Sequence, residues 1–283
     1  MKKPITRQNG SKPIPIYNLE KLNAIFTKKQ WTISENPNGI YHRYCRTLLK
    51  MSLDEQSLFL NMTDRFQDFK MQDCITGFVS VIQDVFSDYD GYTIYCFKCV
   101  NESDQGKTKS SSSLLYLMKG PEIKDIQPSS IKLSIVDDPS SLKDLKLAKN
   151  ALFLIIDDFV GTGETAKEAM EYILKSSDKS QEELEIAVVS VVMMERGFEY
   201  IQDLGIKPYC KVKLKRGISD YYQGDQLQDA LKTIDSIESK IKGLKDEYRH
   251  GYHQSEALVK LTRCPNNTFP VYWLPSKDAP YAR

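Results

Sequence analysis

The sequence predicts an α/β protein: a parallel sheet with helices on both faces, preceded by a helical extension and followed by a long helix and a C-terminal hood. Three observations carry this expectation. From about residue 74 to residue 215, short apolar runs alternate with stretches of helical spacing. Each apolar run lacks the polar alternation of a half-exposed strand, so both of its faces are expected to be covered, as in a parallel sheet. Outside this region the apolar residues recur at helical intervals.

Residues 1 to about 16 are polar and proline-bearing and read as a draped arm. Residues 17 to 75 are helix-like. Within them Ser52 and Glu55 form a capping box ahead of an apolar stripe of Leu58, Phe59, Met62, Phe66 and Phe69. The helix ITGFVSVIQDVF follows, then a strand from Tyr92 to Val100, a short helix from Leu114 to Lys119, a strand from Ile131 to Val136 and a buried strand from Ala151 to Ile156. A helix from Thr165 to about Lys175, the strand EIAVVSVVMM, an amphipathic helix from Glu195 to Leu204 and the strand-like KPYCKVKLK complete the core. A charged helix is expected over about 226–248, with Leu227, Leu231, Ile234, Ile237 and Ile241 on one side. It reads as a packing helix, or as a surface for a homodimer or a protein partner. The expected division is an arm and helical extension over 1–75, the α/β core over 76–220, and the helix and hood over 221–283.

A chain of 283 residues is long enough for one sizeable core with additions at its ends. Lysine plus arginine (39) nearly cancel aspartate plus glutamate (38), so the net charge of +1 gives no global attraction for nucleic acid or an anionic membrane. No stretch approaches the ~18 apolar residues of a membrane span and the start lacks a signal peptide's apolar run, so a cytoplasmic protein is expected. The six cysteines are scattered, as reduced thiols usually are. Cys96 and Cys99 sit in a strand-like run, where their offset puts them on opposite faces and argues against a metal site.

The segment FLIIDDFVGTGET, residues 153–165, carries the chemistry. A buried strand ends in two adjacent carboxylates, Asp157 and Asp158, and a glycine-threonine turn leads into a helix. In an open parallel sheet, ligands bind outside the carboxyl ends of strands, which puts both acids at a pocket mouth. Gly161 and Gly163 let backbone amides converge on one anion, Thr162 and Thr165 add hydroxyls, and the helix adds its positive end. Such a turn cradles a phosphate monoester, while the paired acids suit vicinal sugar hydroxyls. A 5-phosphorylated ribose satisfies both halves.

These residues resemble the signature of type I phosphoribosyltransferases over thirteen positions, and strand and helix order extends the resemblance to roughly residues 75 to 220. The resemblance implies binding of phosphoribosyl pyrophosphate with Mg2+, and transfer of the phosphoribosyl group to a base or other acceptor. It implies that Asp157 and Asp158 contact the ribose, within a binding segment of Asp157, Asp158, Phe159, Val160, Gly161, Thr162, Gly163, Glu164 and Thr165. Mg2+ would be held mainly through ligand and water, near Asp157 and Asp158. Glu164 departs from the family, which commonly has a small residue there; an acid in the first turn of a helix is favoured by the dipole. The pyrophosphate loop maps to Lys107, Lys109, Ser110 and Ser111, where a solvated surface loop is an equal reading.

The tail offers Tyr252, Glu256, Asn267 and Trp273 for an acceptor pocket, although buried aromatics and turn residues also serve packing alone. The tail resembles that of orphan phosphoribosyltransferase-like proteins of bacterial conflict and antiphage systems, which implies a defence effector or sensor. The same fold also serves as a non-catalytic sensor or assembly subunit. A rival from another class is a degenerate P-loop ATPase built on Gly106, Lys107 and Thr108. It lacks the glycine that such a loop needs at Asn101, and it leaves GTGET unexplained.

Overall fold

The computed structural model describes residues 13–104, 111–274 and 279–281. The chain divides into two compact units, one of Met1–Asp68 with Arg216–Arg283 and one of Phe69–Lys215. The two outer segments separated in the sequence reading therefore share one unit. Residues 1–12 of the expected arm lie outside the described residues.

In the first unit, α1 (Ile16–Lys28), α2 (Ile40–Leu48) and α3 (Leu53–Arg65) build the N-terminal half. Ser52 caps α3 through the capping box: its amide donates to Glu55 Oε2 at 2.6 Å, and its hydroxyl accepts from Glu55 N at 3.4 Å. Replacing Ser52 with alanine leaves one first-turn amide without its acceptor, so Ser52→Ala is expected to lower stability by about 1 kcal/mol, read as a lower urea midpoint. After α3, β1 (Gln67–Asp68) leads into the second unit.

The second unit runs α4 (Met71–Asp88), β2 (Thr93–Lys98), α5 (Ser111–Leu117), α6 (Pro121–Lys124), β3 (Lys132–Ile135), β4 (Ala151–Val160), α7 (Glu164–Ser177), β5 (Glu185–Met194), α8 (Glu195–Asp203) and β6 (Lys207–Leu214). Its strands form one parallel sheet in the order β3-β2-β4-β5-β6. One face buries Tyr95, Phe97, Phe153, Ile155 and Val188 under Ala166, Ala169, Met170 and Ile173 of α7 and Ile201 of α8. The other face is covered by α4 and α5. Gly77 of α4 lies so near the sheet that an added Cβ would stand 3.3 Å from Val191 Cγ1. As strand alternation requires, Cys99 joins the first face and Cys96 does not.

Of the boundaries that differ from the sequence reading, two shape the site and the C-terminal helix. β4 does not stop at Ile156: it continues to Val160, because Asp157, Phe159 and Val160 pair with Ser190, Val192 and Met193 of β5. The C-terminal helix α9 spans Gly224–Ser239 rather than reaching residue 248. The chain bends away after it, and Gly243 takes a left-handed φ of 76° that ends any helical continuation.

Back in the first unit, α9 buries Ile234 and Ile237 in a core with Leu22, Phe26, Tyr44, Phe59 and Tyr272, and Leu227, Leu231 and Ile241 pack against it. The apolar side of α9 is thus occupied within its own unit. Finally, β7 (Val259–Lys260) pairs in parallel with β1 and ties the N-terminal and C-terminal segments together. No helix among the described residues is long and apolar enough to cross a membrane.

Candidate functional site

Sheet order locates the site. Taken along the chain, the five strands are arranged 2-1-3-4-5, so the winding reverses between β2 and β4, and ligands bind at such a reversal beyond the carboxyl ends of the strands. Here β2 ends at Lys98 opposite Ile156, and Cys99 N makes the last bond to Ile156 O at 2.9 Å. β4 runs on beside β5 alone. The reversal therefore leaves the backbone edge of β4 at Asp157 and Asp158, on the side that faced β2, without a strand partner among the described residues.

Both aspartates are half-buried. Alternation along β4 carries Asp157 to the face of Phe153 and Ile155, where the Cys99 thiol meets its carboxylate. Asp158 N donates to Asp157 Oδ1 at 2.9 Å. Burial, and then the adjoining Asp158 carboxylate, push the Asp157 pKa well above the ordinary range, although the Asp158 amide and the Cys99 thiol oppose the shift. Asp157 thus holds a proton more tightly than a free aspartate does. A ligand that hydrogen-bonds to the ionised carboxylate would draw that proton off.

The turn after β4 is shaped by two glycines. Gly163 stands at the N-cap of α7 with φ 86°, and a Cβ there would come within 2.8 Å of Tyr200 Cδ1. Gly197, in the first turn of α8, approaches the turn still more closely: its Cβ would lie 2.3 Å from Gly161 O. The start of α8 therefore supports the turn from below. No side chain caps α7, and Glu164 N reaches Thr162 Oγ1 only at 3.4 Å. Among the described residues, the amides of Gly161, Thr162 and Gly163 have no backbone acceptor. With the first amides of α7, which have no intrahelical partner, they form a set of donors suited to an anion. The side chains of Glu164 and Thr165 are exposed, Phe159 and Val160 are buried, and Gly161 and Thr162 are half-buried.

Sequence reasoning missed Cys99 and Gly197. By sequence Cys99 reads as a scattered reduced thiol, while a glycine just after the end of a strand, inside a helix, signals a close backbone approach.

Lys107, Lys109 and Ser110 of the expected pyrophosphate loop lie outside the described residues, as do Gly106 and Thr108 of the ATPase alternative. What precedes them is anchored to α7: Asn101 Nδ2 donates to Glu168 Oε2 at 2.8 Å, and Lys175 pairs with Glu102 at 2.7 Å. Ser111 opens α5 with a buried Oγ that has no partner among the described residues.

The acceptor-pocket residues sit in the first unit and take part in its own packing. Glu256, 2% exposed, accepts from Ile218 N at 2.8 Å, from Ser219 N at 2.7 Å and from the Ser219 hydroxyl. Asn267 Nδ2 donates to Ser255 Oγ at 2.8 Å, and Trp273 Nε1 to Thr268 O at 2.8 Å. Tyr252 is half-buried, its ring 4.1 Å from that of His253. Among the described residues, no group of three or more His, Cys, Asp or Glu could hold a metal ion.

The model of the PRTase-CE family matches residues 95–282. Among solved structures, the chain is similar to the orotate phosphoribosyltransferase from Aeropyrum pernix, at 15% identity over 48% of this chain and 68% of that one, with a TM-score of 0.28. It is also similar to Mycobacterium tuberculosis H37Rv orotate phosphoribosyltransferase in complex with inorganic phosphate, at 15% identity over 48% and 69%, with a TM-score of 0.28. A third likeness is the AQ2163 protein from Aquifex aeolicus, at 13% identity over 70% and 95%, with a TM-score of 0.33. Scores this low add nothing to the fold described above. No curated protein matches the chain.

Proposed function

The chain belongs to the PRTase-CE family, and from that premise we propose that it binds phosphoribosyl pyrophosphate, or a related ribose 5-phosphate, with Mg2+ at the end of β4. One observation carries the reading: half-buried Asp157 and Asp158 lie at the winding reversal, three residues before a turn whose amides have no backbone acceptor among the described residues. The acids hold the ribose hydroxyls, and the amides of 161–165 with the positive end of α7 hold the 5-phosphate. Mg2+ fits this donor set as a partner of the pyrophosphate rather than of a protein cage, with Asp157 or Asp158 reaching it directly or through water.

In the enzymatic form of the proposal, the bond from C1 to pyrophosphate breaks, the acceptor forms a bond to C1, and the acceptor's proton is lost. The cation that develops at the sugar is stabilised by charge already in place, which Asp157 and Asp158 supply. The sensor form is favoured by the first unit, where Glu256, Asn267 and Trp273 are engaged in packing. The resemblance of the tail supports a role as a bacterial defence effector or sensor in either form.

Titration with phosphoribosyl pyrophosphate, with and without Mg2+, tests the proposal. Saturable, Mg2+-strengthened binding is expected; binding of ATP in its place would overturn it. A pyrophosphate-release assay on the same samples then separates the two forms, since the enzyme releases pyrophosphate when supplied with an acceptor and the sensor does not.

A further inference from the structure

We propose that Ser190 is a positioning residue for the candidate site: its hydroxyl closes a break in the sheet beside Asp157 and Asp158, and so fixes how β4 delivers the two acids and the turn. This inference rests on the sugar-phosphate reading and adds to it a residue that acts through its neighbours.

The break crosses three strands. β4 and β5 keep one register, with Asp157 paired to Ser190 and Phe159 to Val192, but Asp158 and Val191 between them do not pair. The next strand repeats the omission: Ser190 pairs with Cys210 and Val192 with Val212, while Val191 and Lys211 do not pair. A regular parallel ladder has evenly spaced bonds and engages every row. Missing one row without losing register means that each strand changes, at that row, which of its residues aim their main-chain groups at a given neighbour.

The side chains record the same change. In β4, Phe153 and Ile155 enter the core under α7, and beyond the break Val160 does. In β5, Ile186 and Val188 enter it, then Met193. In β6, Cys210 packs against it, and then Lys213 turns to that side, its Nζ 3.9 Å from the centre of the Phe198 ring of α8. Strict alternation would have brought Phe159, Val192 and Val212 there instead. An alternation reset in three adjacent strands at one level belongs to the sheet as a whole.

The reset decides how β4 enters the turn. It sets Val160 against the start of α8, where a Cβ on Gly197 would lie 3.2 Å from Val160 Cγ1, and it leaves the larger Phe159 outside that core. Main-chain groups that drop out of a ladder in a buried sheet need other partners. Two side chains at the break supply them. Asp158 N donates to Asp157 Oδ1 at 2.9 Å, and Ser190 Oγ donates to Val192 O at 2.8 Å. Ser190 is 0% exposed and carries the one hydroxyl of the apolar run IAVVSVVMM, so no neighbour in β5 can replace it as a side-chain hydroxyl donor. It is also the residue paired with Asp157, which ties the closure of the break directly to a proposed sugar ligand.

Titration of Ser190 variants of the full chain with ribose 5-phosphate tests the assignment, with Tm as the measure of folding. Ser190→Ala is expected to fold and to bind about tenfold more weakly, and Ser190→Thr, which keeps the hydroxyl, to bind within about threefold of wild type. Val188→Ala removes buried volume in the regularly paired part of β5. It should lower Tm at least as much as S190A and change affinity less than about twofold. Wild-type affinity in S190A, no recovery in a folded S190T protein, or an equal loss in V188A overturns the proposal and leaves the sugar-phosphate reading standing. Absence of binding by the wild type overturns that reading and this proposal with it. The break itself is read without a variant: through-hydrogen-bond NMR couplings in the wild type should alternate regularly up to Asp157 and Ser190, skip the row of Asp158 and Val191, and resume beyond it. An unbroken alternation overturns the proposal whatever the variants do.

Discussion

Replacing Asp157 and Asp158 together with asparagine is expected to weaken binding of phosphoribosyl pyrophosphate at least about a hundredfold, or roughly 3 kcal/mol, with the fold intact. Asparagine fills the same space but replaces one acceptor oxygen with a donor, so it meets the ribose hydroxyls poorly and gives Mg2+ no charge. Stability should move the other way. Desolvation and Asp158 hold the Asp157 pKa well above normal, so its ionisation opposes folding increasingly as pH rises through that value. Asp157→Asn alone should therefore leave Tm at neutral pH unchanged or higher, the pattern of a site kept for binding at the expense of stability. The same upward shift predicts that, at a pH where Asp157 of the free protein keeps its proton, binding releases that proton from wild type and not from the single variant. Calorimetry in two buffers of different ionisation enthalpy measures this directly.

Gly197→Ala is expected to produce the second large effect without replacing any residue of the proposed binding segment. The new Cβ would meet Gly161 O at 2.3 Å, Gly161 C at 3.0 Å and Val160 Cγ1 at 3.2 Å. Two of these atoms belong to backbone, so no rotamer change relieves the contact. Either α8 withdraws or the turn shifts. The expected cost is about 2–3 kcal/mol of stability and at least a tenfold loss of affinity for ribose 5-phosphate. Gly91 provides the control: it has a left-handed φ of 77° but nothing within 4 Å of an added Cβ. Gly91→Ala should lower stability by about 1 kcal/mol and leave affinity unchanged. Equal affinity losses in both variants would refute the support assigned to Gly197.

The central strands of the second unit were legible because parallel strands buried on both faces are written as unbroken apolar runs. EIAVVSVVMM coincides with β5, and the capping box at Ser52 marks the start of α3. The candidate site was legible for a related reason: acids, glycines and a helix start follow one another within thirteen residues. What depended on distant partners was not. The extension of β4 through Asp157–Val160 arises from pairing with β5, since two adjacent acids look like the end of a strand. The pairing of Gln67 and Asp68 with Val259 and Lys260 joins segments 192 residues apart, and no local pattern announces it. The charged helix was read too long because lysine and glutamate continue the helical spacing past Ser239, and only Gly243 interrupts it.

The central claim is that the turn 161–163 and the start of α7 hold the phosphate while the neighbouring acids hold the sugar. Amide NMR during titration with ribose 5-phosphate tests it most directly. The account predicts that the resonances of Gly161, Thr162, Gly163 and Thr165 shift saturably and more than those elsewhere in the second unit, and that the wild-type response weakens in the Asp157→Asn, Asp158→Asn protein. Saturable binding that leaves those four amides unmoved would contradict it.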